Sequence, residues 1–344
     1  PTMLHDLEAL TGVGFKDIPL DDKKVMSLFR SPEALGVTCE DILSKTGTLG
    51  IPEFGTDFVQ GMLMETLPTT MSELLRISGL SHGTDVWLGN ARDLILNKTA
   101  TLSECVCTRD DIMNALISYG LESKLSFDTM EAVRKGKGLT PSTEEEMRKH
   151  NVPEWFIDSC NKIKYMFPKA HAAAYVIMAL RIAYYKVYYP LAYYAAYFTI
   201  RSKGYNSESM ILDTAILREK VRSITQSGNQ LGVKEKEELY AMRMALEMQS
   251  RGFEFLHADI YKSDATKFLI EGNALRVPLN SLPGLGDTVA ESIVAARETP
   301  FNTIDDLKKR SKIGNSIVDL LKNNNAIGDL PESAQMDMFS LFGI

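Results

Sequence analysis

Residues 169–189 constrain the fold more than any other part of the sequence. This stretch contains neither Pro nor Gly, is rich in Ala, Val, Ile, Met, Leu and Tyr, and ends at Pro190. Because proline removes a backbone donor and clashes with the preceding turn, the pattern predicts one long helix before Pro190 and a second helix from there to about Lys203. Nine of the 13 tyrosines lie between residues 165 and 197. Such amphipathic rings predict a helix pair that is buried on one side and wet on the other.

The 344-residue chain is 44% hydrophobic, which predicts two or three domains, each with its own core. The sequence has no run of about 18 apolar residues and no charged-then-apolar leader, so neither a membrane span nor a secretory signal is expected. Four cysteines, none in the last 184 residues, indicate free thiols or metal ligands rather than a disulfide scaffold. A cytoplasmic protein is therefore expected.

The formal net charge of -7 argues against nucleic-acid binding, since phosphate contacts require Lys and Arg. Between residues 151 and 204, however, seven basic side chains stand against two acidic ones. The basic residues are Lys162, Lys164, Lys169, Arg181, Lys186, Arg201 and Lys203, and the acidic ones are Glu154 and Asp158. Local charge therefore favours a polyanionic partner for this segment.

Elsewhere the pattern also indicates helices. Residues 40–149 consist of short helical patterns broken by glycine-rich polar loops. Residues 268–277 predict a small β-hairpin that turns at Gly272-Asn273, and short helices with glycine turns follow to Leu330. The predicted fold class is mainly α, with a small β-hairpin in the second half of the chain.

Arg134-Lys135-Gly136-Lys137-Gly138 places three cations on a flexible turn after a helical stretch. Such a turn suits a triphosphate or a DNA backbone. An alternative interpretation is a helix C-terminus, with glycine as its left-handed cap and cations that complement the helix dipole. On the turn alone, the second interpretation is favoured.

His171 and Tyr175 are four residues apart on the predicted long helix, so they share one face. With Lys164 and Lys169 nearby, this face offers a ring, an imidazole and cations, which suit a nucleotide. A His and a Tyr on an Ala-rich helix are also common as packed, hydrogen-bonded residues. Periodicity alone leaves both interpretations open.

Lys164-Tyr-Met-Phe-Pro-Lys-Ala-His-Ala-Ala-Ala-Tyr175 resembles the nucleotide-binding helix in the fingers of the bacterial replicative, C-family DNA polymerases. The resemblance covers nearly the whole chain, and its longer versions of the motifs are similar to the PolC type of this family. The supporting stretches are Ile18-Pro-Leu-Asp-Asp-Lys-Lys24, Thr48-Leu-Gly-Ile-Pro-Glu-Phe-Gly-Thr56, Leu80-Ser-His-Gly-Thr-Asp-Val-Trp-Leu-Gly-Asn90 and Val133-Arg-Lys-Gly-Lys-Gly-Leu139.

The resemblance implies a site for the incoming deoxynucleotide. Phe167, His171 and Tyr175 would line its base and sugar. Lys169 would lie nearby, and the Ser81-His82 loop would sit beside the same pocket. The cations expected toward the phosphates are Arg134, Lys135 and Lys137.

Polymerisation needs carboxylates that hold two divalent metals, and in this family an Asp-x-Asp element on the palm supplies them. No Asp-x-Asp occurs in these 344 residues. The adjacent pairs Asp21-Asp22, Asp110-Asp111 and Asp305-Asp306 are better explained as charges at helix starts. The chain also opens mid-motif at Pro1. We therefore expect the palm and its Mg²⁺ upstream of this chain, which alone would bind but not polymerise.

Leu282-Pro-Gly-Leu-Gly-Asp-Thr-Val-Ala-Glu-Ser-Ile-Val-Ala-Ala-Arg297 is typical of a helix-hairpin-helix motif. Its glycines, Gly284 and Gly286, would let backbone N–H groups approach a phosphate at a helix N-terminus. A weaker second copy is expected over residues 303–328, and the alternative is a helical turn whose glycines serve only packing. The cations of the second copy, which would meet further phosphates, are Lys308, Lys309, Arg310 and Lys312.

Gln335-Met336-Asp337-Met338-Phe339 resembles the Gln-Leu-x-Leu-Phe pentapeptide by which such polymerases dock on the sliding clamp, with Met at both Leu positions. Apolar side chains on a short extended peptide suit a preformed pocket. A frame shifted to residues 338–342 is an alternative.

Four cysteines match the number of ligands in a closed tetrahedral zinc site, but their spacing is neither local nor the usual Cys-x2-Cys. The four are Cys39, Cys105, Cys107 and Cys160. The alternative is four small buried hydrophobic residues. Structural zinc is therefore one of two open expectations.

The expected organisation is a connection from the palm (1–18), fingers (19–204), a helix-hairpin-helix domain that binds duplex DNA (205–330) and a clamp-binding tail (331–344). The expected partners are primer-template DNA, a deoxynucleotide, the sliding clamp and other replisome subunits, with no membrane. A non-catalytic helix-hairpin-helix repair scaffold is the alternative from another class. The other main C-family branch is a second alternative, and the clamp-like peptide directly after the hairpins favours the PolC order.

Overall fold

The computed structural model describes residues 2–201, 204–227 and 231–333. The chain divides into two compact units. The first unit contains the described residues of Pro1–Gly14, Glu40–Leu43 and Tyr188–Ile344, and the second contains Phe15–Cys39 and Ser44–Val187. These two units are defined by which residues pack together. They do not test the functional boundaries at residues 18, 204 and 330, which stay predictions.

Helices make up most of the described chain, which confirms the mainly α prediction. In chain order the α-helices are α1 Thr2–Thr11, α2 Lys23–Ser27, α3 Cys39–Ile42, α4 Asp57–Thr66, α5 Met71–His82, α6 Arg92–Leu96, α7 Arg109–Ser118, α8 Ser123–Arg134, α9 Pro141–Lys149, α10 Glu154–Lys162, α11 Lys169–Tyr188, α12 Pro190–Ile200, α13 Ser207–Met210, α14 Thr214–Ser227, α15 Val233–Ser250, α16 Asp287–Ala296, α17 Ile304–Ser311 and α18 Asn315–Asn323. Short 3₁₀ turns cover Phe15–Asp17, Glu33–Leu35 and Leu279–Ser281, and a kinked helical turn covers Trp87–Ala91.

A three-stranded sheet lies in the first unit, with the strands β1 Glu254–Leu256, β2 Leu269–Glu271 and β3 Ala274–Arg276. The predicted hairpin is confirmed, because β2 pairs antiparallel with β3 across Gly272, whose φ is 59°. A parallel partner for β3 was not predicted: β1 pairs with it in the register Phe255↔Leu275. The strand order is therefore β1-β3-β2.

Both predicted helices form, but the burial of α12 differs from the expectation. Seven consecutive residues of α12, from Ala192 to Phe198, are buried. One reason is that α1, β2 and β3 all pack against α12, so this helix has no solvent-exposed face. A second reason is that a buried tyrosine hydroxyl finds a hydrogen-bond partner inside the protein. Tyr194 donates a hydrogen bond of 2.6 Å to the buried Glu247 of α15. The predicted wet side is therefore wrong for α12.

In the second unit, α11 holds down the glycine-rich loop at residues 47–56 through a buried lysine. Lys186 is 0% exposed, and its ammonium donates hydrogen bonds of 2.8 Å to the carbonyl of Gly47 and 2.6 Å to that of Leu49. A buried ammonium is costly unless it is hydrogen-bonded, so these contacts stabilise both the charge and the loop. No helix in the described ranges, the 20-residue α11 included, is long and apolar enough to cross a membrane.

Replacing Lys186 with Met keeps a long unbranched side chain but removes the charged donor from the two carbonyls. We expect the free energy of unfolding of the chain to fall by about 2 kcal/mol, because hydrogen bonds from charged groups contribute about 1.5–3 kcal/mol. Urea titration followed by circular dichroism measures this loss. Lys124→Met, at an exposed position of α8, is the control and should change the free energy by less than about 0.5 kcal/mol. Equal losses in the two variants would contradict the role of Lys186.

Candidate nucleotide and nucleic-acid interface

Four aromatic side chains form a continuous column in the second unit. His82 stacks on Phe167, with ring centroids 4.7 Å apart. Phe167 meets His171 edge to face at 5.2 Å, and His171 meets Tyr175 in the same way at 5.0 Å. His171 is exposed and Tyr175 is half-buried, so this end of the column is open to a ligand. The structure therefore brings together all four rings that the sequence analysis placed near a nucleotide.

Two segments that are distant in sequence meet to build the column. The amide of Thr84 donates to the carbonyl of Tyr165 at 2.9 Å, and the amide of Lys164 donates to the carbonyl of Thr84 at 3.0 Å. Gly83 makes the approach possible, because a Cβ there would lie 2.3 Å from Val86 Cγ2 and 3.0 Å from the Tyr165 carbonyl. This short bridge brings His82, at the end of α5, over Phe167.

The N-terminus of α11 is held by two aspartates from α7. Asp110 accepts a hydrogen bond of 2.8 Å from the amide of Lys169, and the amide of Arg109 donates to the carbonyl of Phe167 at 3.2 Å. The ammonium of Lys169 lies 3.5 Å from Asp111 Oδ1. The prediction that these aspartates are helix-start charges is confirmed for α7. Asp110 in addition caps α11, which the sequence analysis missed.

The basic turn at residues 134–138 packs against the same bridge. Gly136 has a φ of 71°, and a Cβ there would lie 2.6 Å from the carbonyl oxygen of Lys164. The amide of Lys137 donates to the carbonyl of Ala132 at 3.0 Å, which ends α8. Gly136 is thus both the left-handed cap of the helix and a point of close approach, so the two interpretations of this turn are compatible.

Two of the three cations on this turn are paired with one carboxylate. Arg134 Nη2 donates to Glu131 Oε2 at 2.8 Å, and Lys135 Nζ lies 2.9 Å from the same oxygen. These hydrogen bonds, first from Arg134 and then from Lys135, lower the pKa of Glu131 to about 2. Glu131 therefore stays ionised at neutral pH and orients both cations, a partner that the sequence analysis also missed.

Both ring nitrogens of His82 lie close to oxygen atoms. Its Nε2 lies 2.8 Å from Glu53 Oε2, and its Nδ1 donates to the carbonyl of Ser78 at 2.8 Å. The Ser81 hydroxyl lies 3.0 Å from Nδ1. The pKa of His82 is raised, mainly by Glu53, and burial opposes this effect. A contact between Glu53 and His82 was not expected, because nothing in a spacing of 29 residues signals it.

The structure does not bring the four cysteines together. Within the described residues, no three His, Cys, Asp or Glu side chains are placed to hold a metal ion. Cys39 is exposed, whereas burial raises the pKa of Cys105 to about 11 and that of Cys160 to about 12. Cys107 is also buried, and its thiol contacts the Cys105 carbonyl at 3.3 Å. The four thiols do not fit a shared zinc site in this arrangement.

In the first unit, the motif at residues 282–297 follows the 3₁₀ turn Leu279–Ser281 and forms a glycine loop and α16. Gly284 has a φ of 99°, which favours glycine, and Gly286 is the N-cap of α16. A Cβ at Gly286 would meet nothing within 4 Å, and its φ is -81°. The open N-terminus of α16 therefore has no steric or conformational need for glycine within the fold.

The second copy is the more regular helix-hairpin-helix. Its helices α17 and α18 are joined by Lys312, which is left-handed at φ 56°, Ile313 and Gly314. Gly314 is the N-cap of α18 and also has open space around its Cβ position. The hairpin expected over residues 303–328 therefore forms, and its contribution to phosphate binding stays a prediction.

The predicted cations of the second hairpin differ in their surroundings. Lys309 and Lys312 are exposed, and Lys308 Nζ lies 3.9 Å from Asp305. Arg310 lies over the Phe301 ring at 4.6 Å and donates to the carbonyls of Thr299, at 2.8 Å, and Ala296. Arg310 thus stabilises the turn before α17. The predicted clamp residues, Gln335, Met336, Asp337, Met338 and Phe339, lie outside the described residues.

Comparison with known proteins found two family models that match parts of this chain. Residues 1–154 match the family model for the bacterial DNA polymerase III alpha subunit finger domain, and residues 252–335 match a helix-hairpin-helix motif. DNA polymerase III PolC-type of Pediococcus pentosaceus is 55% identical over 340 residues, which are 98% of this chain and 24% of that protein. The proteins of the same name from Caldanaerobacter subterraneus and Bacillus subtilis are each 54% identical over the same shares.

The chain therefore belongs to the bacterial DNA polymerase III alpha-subunit family. Its relatives at 54–55% identity all carry the PolC-type name, so it falls in the PolC-type branch, as its motifs suggested. It spans about a quarter (24%) of the length of these curated relatives.

The contact between the basic turn and the bridge can be tested by Gly136→Ala. The new Cβ would meet the Lys164 carbonyl, so we expect a loss of stability well beyond the roughly 1 kcal/mol that a left-handed alanine costs. Gly89→Ala is the matched control, because its φ is 70° and nothing lies within 4 Å of the added Cβ. Urea titration of both variants measures the difference. The close approach is not a constraint if the two lose the same free energy.

Proposed function

We propose that this chain is the fingers and duplex-binding part of a replicative DNA polymerase and that it holds the incoming deoxynucleotide and the primer-template for template-directed synthesis. The main support for the nucleotide site is that three segments come together. They are the bridge at Lys164, the basic turn, and the ring column of His82, Phe167, His171 and Tyr175. Family membership supports the polymerase role.

The nucleotide would use the open end of the column. The rings of His171 and Tyr175 suit a base and a sugar, since stacking on aromatic side chains is tolerant of base identity. Arg134, Lys135 and Lys137 would meet the phosphates. Because Glu131 already holds two of these cations, the triphosphate would have to compete with one carboxylate, which it exceeds in charge.

The catalytic Mg²⁺ would be held by carboxylates outside this chain. No Asp-x-Asp occurs in its sequence, and the adjacent aspartate pairs have other roles. Asp22 caps α2, whereas Asp111 and Asp306 lie in the first turns of α7 and α17. We therefore propose no catalytic step by residues of this chain.

The duplex would bind at the two hairpins through the N-termini of α16 and α18. Backbone N–H groups at a helix N-terminus, next to a glycine, suit a phosphate oxygen. Lys309 and Lys312 would add cations that do not read base identity. The peptide at residues 335–339 would bind the sliding clamp, and other replisome subunits would bind elsewhere on the full polymerase.

Tyr175→Ala and His171→Ala test the nucleotide site in the full-length polymerase. We expect each to raise the KM for the deoxynucleotide roughly tenfold, because the loss of one stacking ring costs about 1–3 kcal/mol. Steady-state primer extension measures KM and kcat separately. Tyr119→Ala, which removes an exposed tyrosine at the end of α7, is the control and should leave KM unchanged. An unchanged KM in both site variants would contradict the proposal that these two rings contact the nucleotide.

Gly286→Ala and Gly314→Ala test the duplex site. Both positions accept a Cβ without contact or strain, so we expect unchanged stability but weaker binding to duplex DNA, since the methyl group would obstruct the phosphate. Fluorescence anisotropy with a labelled duplex at fixed salt measures the affinity. Gly284→Ala should weaken binding too, but its φ of 99° would also destabilise the loop. Wild-type affinity in both open-position variants would exclude these N-termini as phosphate sites.

A further inference from the structure

Glu53 has an unusual backbone conformation. Its φ is 71°, a left-handed value that side chains other than glycine rarely adopt. Such positions persist only where the surrounding structure enforces them, and they concentrate at functional sites. Glu53 belongs to the glycine-rich loop at residues 47–56, where the charge of a glutamate has no obvious part in packing.

The loop around Glu53 is held from several sides. The Thr48 hydroxyl donates to the carbonyl of Phe54 at 2.7 Å, and Phe54 is fully buried. The amide of Phe54 donates to the carbonyl of Ile51 at 3.3 Å. Lys186 of α11 holds the carbonyls of Gly47 and Leu49. These contacts fix the backbone on both sides of Glu53 and therefore aim its side chain.

The target of that side chain is His82. Glu53 Oε2 lies 2.8 Å from Nε2, and the carbonyl of Ser78 accepts from Nδ1. The Ser78 carbonyl requires the proton on Nδ1, so a neutral imidazole would place the Nε2 lone pair opposite the Glu53 carboxylate, whereas an imidazolium places a proton and a positive charge there. The side chain of Glu53 is only 16% exposed, so solvent screens the pair weakly.

His82 in turn supports the ring column. Its ring stacks on Phe167 with an interplanar angle of 26°, and Phe167 in turn contacts His171 edge to face. A cation over an aromatic face is attracted by the electrons of the ring. The charge that Glu53 maintains on His82 thus acts on the position of Phe167.

We propose that Glu53 is a positioning residue for nucleotide binding: its carboxylate holds His82 as an imidazolium against Phe167 and so fixes the ring column. The inference depends on the nucleotide site proposed above. Glu53 touches neither the nucleotide nor its phosphates in this role, and it acts through His82 alone.

Several titratable or charged groups lie on the segments that pack around His82. Glu53 comes from the loop, and Tyr165 and Lys164 come from the bridge. His171 comes from α11, where it contacts Phe167. Lys169 of α11 is paired with Asp111. Among them, Glu53 is the group whose contact and charge raise the pKa of His82 above its ordinary value of 6.5. The imidazolium is therefore present below this raised pKa and is lost as the pH rises through it.

Glu53→Gln in the full-length polymerase tests the proposal, because it keeps the shape of the side chain and removes the charge. We expect the KM for the deoxynucleotide to rise roughly fivefold, with kcat nearly unchanged, at a pH above the ordinary His pKa of 6.5 and below the raised pKa of His82. In profiles from about pH 6 to about pH 9, KM should rise with pH in both proteins, and the rise should occur at lower pH in Glu53→Gln. A purely structural role for Glu53 would not shift this midpoint.

His82→Phe supplies the matched background, since it keeps a stacked ring without a charge. If Glu53 acts through His82, adding Glu53→Gln to His82→Phe should not change KM further. If Glu53→Gln does not fold, His82→Phe tests the same pair, and its KM should be raised and no longer show the His82 midpoint. The proposal fails if Glu53→Gln shows the wild-type KM profile or if its effect is undiminished in the His82→Phe background.

The outcome also separates this proposal from the one on which it depends. If His171→Ala and Tyr175→Ala raise KM but Glu53→Gln does not, the nucleotide site stands and the positioning role of Glu53 is excluded. If none of the three variants changes KM, both proposals are excluded.

Discussion

The hydrogen bonds from Lys186 to the carbonyls of Gly47 and Leu49 connect two parts of the second unit on which the candidate site depends. They join the C-terminal half of α11 to the glycine-rich loop, while the N-terminal half of the same helix carries His171 and Tyr175. One helix therefore sets both the open rings and the loop that carries Glu53. A displacement of α11 would therefore change the positions of the rings at both ends of the column, His82 and Tyr175.

The distribution of charge is compatible with the polyanionic partners proposed for this acidic chain. Several cations of the proposed nucleotide site already contact carboxylates, since Arg134 and Lys135 meet Glu131, and Lys169 meets Asp111. These carboxylates add to the net negative charge, but they orient the cations in the absence of a ligand. Preorganised cations lose less entropy on binding than free ones do. Net charge is thus a poor guide to the local preference of this site.

Much of the fold could be predicted because it depends on local chemistry. Pro190 separates α11 from α12, and Gly272-Asn273 turns the hairpin, as their backbone preferences require. Contacts between distant segments could not be predicted. The parallel strand β1 has no local pattern that distinguishes it, and the Glu53 contact with His82 depends on a left-handed glutamate that no propensity favours. For α12, its neighbours decided its burial, although its composition suggested a half-wet helix.

Gly286 and Gly314 differ from Gly136 in the reason why glycine occupies the position. Gly136 is required by its own fold, because the Lys164 carbonyl occupies the space where a side chain would lie. Neither of the two N-cap glycines meets such an obstacle. In evolution, substitution of Gly136 would be selected against because it impairs folding. Substitution of Gly286 or Gly314 would be selected against only where it obstructs the binding of another molecule.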